Sequence, residues 1–173
     1  MSTTILIQSS ILTLRTTRHT ELDYVLELES SADNIPYIVG WSRERHAAAL
    51  QDTDMRHIIL ENDMRVKVGF MIVAGVGSPH ECVEFTRIII SEKGEGHGQE
   101  AIRLLKQWVF RDLGAHRLWL DVKEHNLAAR HLYDRAGFIE EGLLRDCLKT
   151  NGQYESLVIM SMLREEYEKI TIK

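Results

Sequence analysis

The fold is decided by residues 87–105, which read RIIISEKGEGHGQEAIRLL. The apolar run at its start predicts a buried strand, and the segment after the glycines has the spacing of an amphipathic helix. Between them, Gly94, Gly96 and Gly98 form a loop with few side chains. Such a loop exposes several backbone N–H groups beside the positive end of the helix dipole. The sequence therefore predicts a cradle for a phosphate group at the start of this helix.

Two common nucleotide-binding motifs do not fit this loop. The dinucleotide-binding fingerprint needs Gly or Ala three places after its second glycine, where this chain has Gln99. It also belongs near the start of a parallel β-α-β fold, whereas here three strands are predicted before the strand that leads into the loop. The phosphate-binding loop of NTPases needs Gly-Lys followed by Ser or Thr, which the sequence lacks. The cradle therefore belongs to a different class of site.

Length and composition predict one domain over residues 1–173. The chain has 173 residues, 44% of them hydrophobic, which is enough for one buried core and too little for two. Its net charge of −5 and scattered basic residues argue against nucleic acid and weakly favour a cationic small molecule or a basic protein tail. No apolar stretch approaches the roughly 20 residues that span a bilayer, and residues 1–10 lack a basic start. We expect a cytoplasmic protein with no membrane partner.

Cysteines and histidines give no sign of a metal site. Cys82 and Cys147 fit neither a disulfide framework nor the spacing of metal ligands, so both are predicted to be free thiols. His116, His125 and His131 do not form a His-x-x-x-His pair with an intervening Glu. We predict no bound metal.

The hydrophobic pattern predicts seven strands and four helices. The strands fall at residues 11–15, 55–61, 66–76, 81–90, 116–122, 142–150 and 153–163, and the helices at 20–30, 40–51, 100–113 and 126–136. Turn residues 61–63 and Asn151-Gly152 predict two hairpins, while Gly114 and Gly137 are suited to end helices. This order predicts an α/β sandwich with a mixed sheet, the α+β arrangement.

Two motifs make the chain resemble the GNAT N-acetyltransferases over nearly its whole length. The family pattern Gln/Arg-x-x-Gly-x-Gly/Ala, between a central strand and a long helix, reads KGEGHG at residues 93–98, with Lys93 in the first place. A second family element, an Asn that opens a short helix carrying Leu-Tyr and ending in Gly-Phe, is found at residues 126–138. Residues 141–154 are most similar to the branch containing ribosomal-protein N-terminal and polyamine acetyltransferases.

The resemblance implies both a fold and an activity. The fold is a mixed, mostly antiparallel sheet of about seven strands flanked by about four helices, with two central strands that splay apart. The activity is transfer of an acetyl group from acetyl-CoA to a primary amine. Direct attack in a ternary complex is favoured because no cysteine occupies a motif position. The acceptor stays open between a protein N-terminus, a polyamine and another small amine, and a non-catalytic acyl-CoA-binding or sensing domain is the alternative.

Cofactor-binding residues are carried over from the two motifs. Backbone groups of the strand before the loop are implied to bind the pantetheine arm, and the loop amides to bind the diphosphate. The complete set is Arg87, Ile88, Ile89, Ile90, Lys93, Gly94, Glu95, Gly96, His97, Gly98, Gln99, Asn126, Arg130 and Tyr133. Asn126 equally suits a helix cap, and Arg130 equally suits an exposed helical position.

Two residues are candidate catalysts. Tyr133 stands where the family often has a general acid for the CoA thiolate, and the alternative is a tyrosine that packs its helix on the sheet. Glu84, in the strand leading to the loop, is the candidate general base, with an ordinary strand carboxylate as the alternative and Glu81 as the second choice. Asp121 could meet a cationic acceptor or simply be solvated. The last hairpin could also pair between two copies of the chain, giving a homodimer.

Overall fold

A computed structural model describes residues 3–171 as one sheet flanked by helices. The strands are β1 (Ile5–Gln8), β2 (Leu12–Thr16), β3 (Met55–Asn62), β4 (Lys67–Ala74), β5 (Cys82–Ile90), β6 (Arg117–Lys123), β7 (Ile139–Thr150) and β8 (Gln153–Leu163). The helices are α1 (Leu22–Glu29), α2 (Arg43–Ala49), α3 (His97–Gln107), α4 (Leu127–Arg135) and α5 (Arg164–Thr171). None of these helices is long and apolar enough to cross a bilayer.

The sheet has eight strands in the order β1-β2-β3-β4-β5-β6-β8-β7. All neighbours are antiparallel except β5 and β6, so the predicted mixed, mostly antiparallel sheet is confirmed. Strand β1 and helix α5 were not predicted. Strand β1 has four residues, too short for a clear period, and α5 begins directly after β8 without a turn residue. It is fixed to the core by buried Tyr167.

Helix boundaries differ from the prediction in the middle of the chain. Helix α3 begins at His97, three residues earlier than predicted, because Gly96 in the left-handed region already serves as its N-cap. The helical path continues beyond α3 as a π turn over Trp108–Asp112, in which Leu113 N–H bonds to Trp108 O at 3.0 Å. Both predicted hairpins form, and Asn151 and Gly152 have the positive φ values, 50° and 80°, of a two-residue turn.

The two parallel strands separate halfway along their length. Strand β5 pairs with β6 through Cys82, Val83 and Glu84, and the pairing stops there although β5 continues to Ile90. The carboxyl ends of β5 and β6 therefore form the two arms of a V-shaped opening, which confirms the predicted splay. Helices α3 and α4 begin beyond these two arms.

A β-bulge in β5 decides which side chains face the helices α1 and α2. Strand β4 pairs Val73 with Phe85 but Ile72 with Arg87, so Thr86 is the extra residue. Phe85 lies in the core cluster with α3 and α4, whereas Ile72 and Ile89 lie in the smaller cluster with α1. Because an extra residue inverts the alternation along a strand, Arg87 faces the α1 side together with Glu84.

Candidate active site

The glycine loop leaves its backbone amides open at the start of α3. Gly94 and Gly96 have φ values of 91° and 79°, a region that residues with a Cβ rarely adopt. The first helical hydrogen bond runs from Glu100 N to Gly96 O, so the amides of residues 97–99 precede the hydrogen-bonded ladder. Apart from the glycine itself and its neighbours in the chain, no heavy atom of residues 3–171 lies within 4 Å of where a Cβ on either glycine would stand. This exposed loop fits a diphosphate.

The motif side chains near the loop take several different roles. Lys93 and Glu95 are exposed. Asn126 caps α4, since its Oδ1 accepts a hydrogen bond from Ala129 N at 3.2 Å, as predicted. Arg130 donates to the Glu124 carbonyl oxygen at 3.0 Å and to Glu140 Oε2 at 3.1 Å, so its guanidinium joins the turn before α4 to strand β7. Contacts of these residues with coenzyme A stay predictions.

Tyr133 is buried on α4 among aromatic rings. Its ring meets Phe85 edge-on at 6.0 Å between centroids and Phe138 at 5.9 Å. Burial, with a smaller contribution from the charge of Asp121, raises the pKa of the Tyr133 hydroxyl above its ordinary value of 10.0. The hydroxyl therefore stays protonated at neutral pH, which is the state that a general acid needs.

Glu84 and Asp121 lie together on the α1 side of the V. Glu84 is the last β5 residue paired with β6, opposite Trp119, and Asp121 follows two residues later on the same face of β6. Burial, and next the charge of Asp121, raises the pKa of Glu84, and burial also raises the pKa of Asp121. The negative charge of Asp121 makes Glu84 hold its proton more strongly, whereas the charge of Arg87 opposes the effect of burial on Asp121. The site can thus accept a proton and attract a cation.

The structure also gives the positions of two other carboxylates considered from the sequence, Glu81 and Asp121. Glu81 lies at the closed end of the paired segment, where its carboxylate is 3.9 Å from Arg164, so the structure does not bring it to the V. For Asp121 the sequence left open whether the carboxylate meets a cationic acceptor or is simply solvated. Its proximity to Glu84 depends on the register of β5 against β6, which the spacing within either strand does not contain. Cys82 and Cys147 are free thiols, as predicted.

The family model described as acetyltransferase (GNAT) matches residues 22–138. The chain belongs to this family. It is 29% identical over 164 residues to the spermidine N(1)-acetyltransferase of Escherichia coli K12, covering 89% of this chain and 87% of that one. It is 36% identical over 81 residues, or 46% of its length, to a putative ribosomal N-acetyltransferase of Bacillus subtilis, which covers 44% of that protein.

Solved structures of acetyltransferases support the same family assignment. A spermidine N-acetyltransferase from Vibrio cholerae, in complex with CoA and spermine, superposes with a TM-score of 0.82 at 27% identity over 92% of this chain and 99% of that one. A dodecameric structure of the Vibrio cholerae enzyme matches with a TM-score of 0.77 at 26% identity, covering 92% of this chain and 97% of that one. The predicted family, its branch and the N-acetyltransferase activity are confirmed.

A buried carboxylate organises the α1 side of the acetyltransferase's cleft. Glu29, at the end of α1, forms an ion pair with Arg87 through Oε1. Its Oε2 accepts a hydrogen bond from the backbone N–H of Trp41 at 2.8 Å and lies 3.2 Å from His46 Nε2. Burial alone would raise the pKa of Glu29, but His46, Arg87 and the Trp41 amide together lower it. Glu29 therefore stays ionised and holds three elements together.

Behind Glu29, two buried histidines form a polar chain. His46 Nδ1 lies 3.0 Å from His57 Nε2, and His57 Nδ1 lies 2.9 Å from Thr17 Oγ1. With Glu29 ionised, the favoured His46 tautomer carries its proton on Nε2, because a lone pair there would face the carboxylate oxygen. Both histidines can then be neutral and fully hydrogen-bonded if the Thr17 hydroxyl donates to His57 Nδ1 and His57 Nε2 donates to His46 Nδ1. Burial, followed by the charge of His46, lowers the pKa of His57 from 6.5 to about 3.

This histidine predicts an acid-sensitive fold. Between pH 6.5 and 3 the unfolded chain binds a proton at His57 that the folded protein does not, so stability falls as the pH falls. We expect His57 to lower the free energy of unfolding by about 2 kcal/mol between pH 7 and pH 5. Urea unfolding at both pH values should show this loss in the wild type and in the exposed-site control His80→Gln. The loss should shrink in His57→Gln, and an equal loss there would contradict the assignment.

Proposed function

We propose that this acetyltransferase acetylates a primary amine of a linear polyamine by direct attack in a ternary complex with acetyl-CoA. The observation that carries the proposal is the pair Glu84 and Asp121 on the α1 side of the V, where an ammonium group would be attracted and deprotonated. The charge of Arg87 lowers the pKa of Asp121 and so offsets part of this charge, but the Arg87 guanidinium is also paired with Glu29, and Lys123 is paired with Glu155. The relatives matched over most of their length are spermidine acetyltransferases.

Most of the predicted site residues take a role in this proposal. Amides of residues 94–99 would hold the diphosphate, and the β5 edge over residues 87–90 would hold the pantetheine arm. Acetyl-CoA would supply the acetyl thioester. Glu84 would take the proton of the incoming ammonium, and Asp121 would strengthen its proton affinity. The Tyr133 hydroxyl would give a proton to the departing sulfur atom.

The proposal extends to the whole chain. Residues 1–173 would act as one acyltransferase domain without a metal. The edge strand β7 carries the half-exposed Leu143 and Leu144, and it would be the contact in a homo-oligomer. The dodecamer of the Vibrio cholerae relative supports self-association of this fold.

A thiol-release assay with acetyl-CoA tests the function. Spermidine, spermine, a peptide with a free N-terminus and an aminoglycoside should be compared at equal enzyme concentration. We expect saturable CoA release, with kcat/KM for the polyamines at least about tenfold above the peptide, since one additional ammonium–carboxylate contact corresponds to roughly that factor. Preference for the peptide would overturn the polyamine assignment. CoA binding without release for any amine would instead indicate the non-catalytic alternative.

A further inference from the structure

The segment between α1 and α2 is attached to both arms of the V. We call residues 30–42 the bridge segment. Arg87, on β5, donates a hydrogen bond from Nη2 to the carbonyl oxygen of Val39 at 2.6 Å. Lys123, at the end of β6, donates from Nζ to the carbonyl oxygen of Pro36 at 3.0 Å. Two carbonyls only three residues apart are thus held by the two strands that splay.

Each anchor is a buried cation with a carboxylate partner. Lys123 is 4% exposed and lies 2.8 Å from Glu155 Oε2 on β8. Arg87 is paired with Glu29, whose side chain is 4% exposed and also accepts the Trp41 amide of the bridge segment. Charge-assisted hydrogen bonds of this kind are short and directional. The anchors therefore define where the bridge segment lies relative to each strand.

Additional contacts reinforce both ends of the segment. His125 Nε2 lies 3.3 Å from the same Pro36 oxygen, and its ring lies 5.9 Å from that of Tyr37. On the other side, the Trp41 ring lies 5.1 Å from the Arg87 guanidinium and 3.9 Å from that of Arg45. The bridge segment is thus attached to both strands by side chains as well as by its backbone.

Stability alone is a weak explanation for these anchors. Two charges taken out of water lose hydration that their mutual attraction repays only in part, so buried ion pairs often add little net stability. Here, however, both cations use a remaining donor to bind a backbone carbonyl of one short segment. That segment covers the face of the sheet on which Glu84 and Asp121 lie. Because both cations bind the same segment, we infer that they fix the position of that segment.

We propose that Arg87 and Lys123 are positioning residues that hold the bridge segment across the two arms and so fix the width of the acceptor side of the cleft. The amine would enter between the bridge segment and the carboxylate pair Glu84 and Asp121. Release of either anchor would let the segment move away and weaken amine binding, while the glycine loop would be unaffected. This inference rests on the proposed function, because it assigns the amine to that side.

Kinetics of anchor variants test the proposal. Arg87→Met and Lys123→Met should each raise KM for spermidine about tenfold, and Lys123→Met, which lies outside the proposed CoA contacts, should keep kcat within about threefold and CoA affinity unchanged. The double variant should be little worse than either single one, because one lost anchor already frees the segment. Arg43→Met is the matched control, since Arg43 adjoins the segment but pairs with the exposed Asp23. An unchanged spermidine KM in folded anchor variants would overturn the proposal.

A second measurement does not depend on turnover. The bridge segment contains two chymotrypsin sites, Tyr37 and Trp41, and cleavage there should be several-fold faster in both anchor variants than in the wild type or Arg43→Met. Equal cleavage rates would contradict the anchoring. If the wild type shows no activity with polyamines while cleavage follows this pattern, the proposed acceptor fails and the anchored bridge stands. Glu155→Gln, which loosens Lys123 without removing it, replaces Lys123→Met if that variant does not fold.

Discussion

In the Tyr133→Phe variant, kcat is expected to fall at least about 100-fold while the affinity for CoA stays within about twofold of wild type. The substitution keeps the aromatic ring and its contacts with Phe85 and Phe138, so the packing of α4 should change little. It removes the hydroxyl, which burial and Asp121 keep protonated. Steady-state kinetics and calorimetry with CoA check the two halves of this expectation.

Tyr167→Phe provides the control for Tyr133. Tyr167 is also a buried tyrosine, on α5, where its ring stacks on Phe110 at 5.0 Å. Loss of its hydroxyl should leave kcat unchanged. If Tyr133→Phe also kept wild-type kcat, the residue would be a packing tyrosine and the general acid would have to be sought elsewhere. A loss of CoA affinity without a loss of kcat would instead assign the hydroxyl to cofactor binding.

The pH dependence of activity tests the roles of Tyr133 and Glu84 independently. Since the pKa of Tyr133 is raised, the hydroxyl should not lose its proton below about pH 10, and no decline in activity should arise from it in that range. The pKa of Glu84 is raised as well, so the acid limb of kcat/KM should lie above the ordinary carboxylate range. Glu84→Gln should remove that limb together with most of the activity.

Features fixed by neighbours in the chain could be predicted from the sequence. Gly96 as a helix start, Asn126 as a cap and Asn151-Gly152 as a hairpin turn all depend on local backbone preferences. The motif over residues 126–138 likewise places Tyr133 on a helix beside the opening. These local signals were enough to identify the family and the splayed strands by resemblance.

Features fixed by packing could not be predicted in the same way. Arg87 was considered for its backbone, but a single extra residue at Thr86 turns its side chain toward Glu29. The contact of Lys123 with Pro36 joins residues 87 positions apart, and no pattern near either residue encodes it. His46 and His57 lie on different elements whose apolar periodicity gives no reason for two buried imidazoles to meet. Such contacts follow from the tertiary fold.

Gly96→Val is the other substitution with a large expected effect, and it should lower CoA affinity at least about 100-fold. The φ of 79° at this position is strongly disfavoured for a β-branched residue, and the side chain would project into open space that the diphosphate needs. Loss of two charge-assisted hydrogen bonds, each worth about 1.5–3 kcal/mol, corresponds to a loss of affinity of this size. Calorimetric titration with CoA measures it.

Gly152→Val separates backbone strain from the loss of the ligand site. Gly152 has a φ of 80°, nearly the value of Gly96, and the space around it is equally open among the described residues. It lies in the turn between β7 and β8, so valine there should cost similar conformational energy while leaving CoA affinity intact.

Gly98→Ala adds a comparison within the loop: its methyl group would make ordinary contacts at 3.7 Å and 3.9 Å with Ile90 and Leu132. Because φ at Gly98 is not positive, binding should survive there. Wild-type affinity in Gly96→Val would mean that the diphosphate binds away from this loop, because a diphosphate bound in the loop could not tolerate a branched side chain at the head of α3.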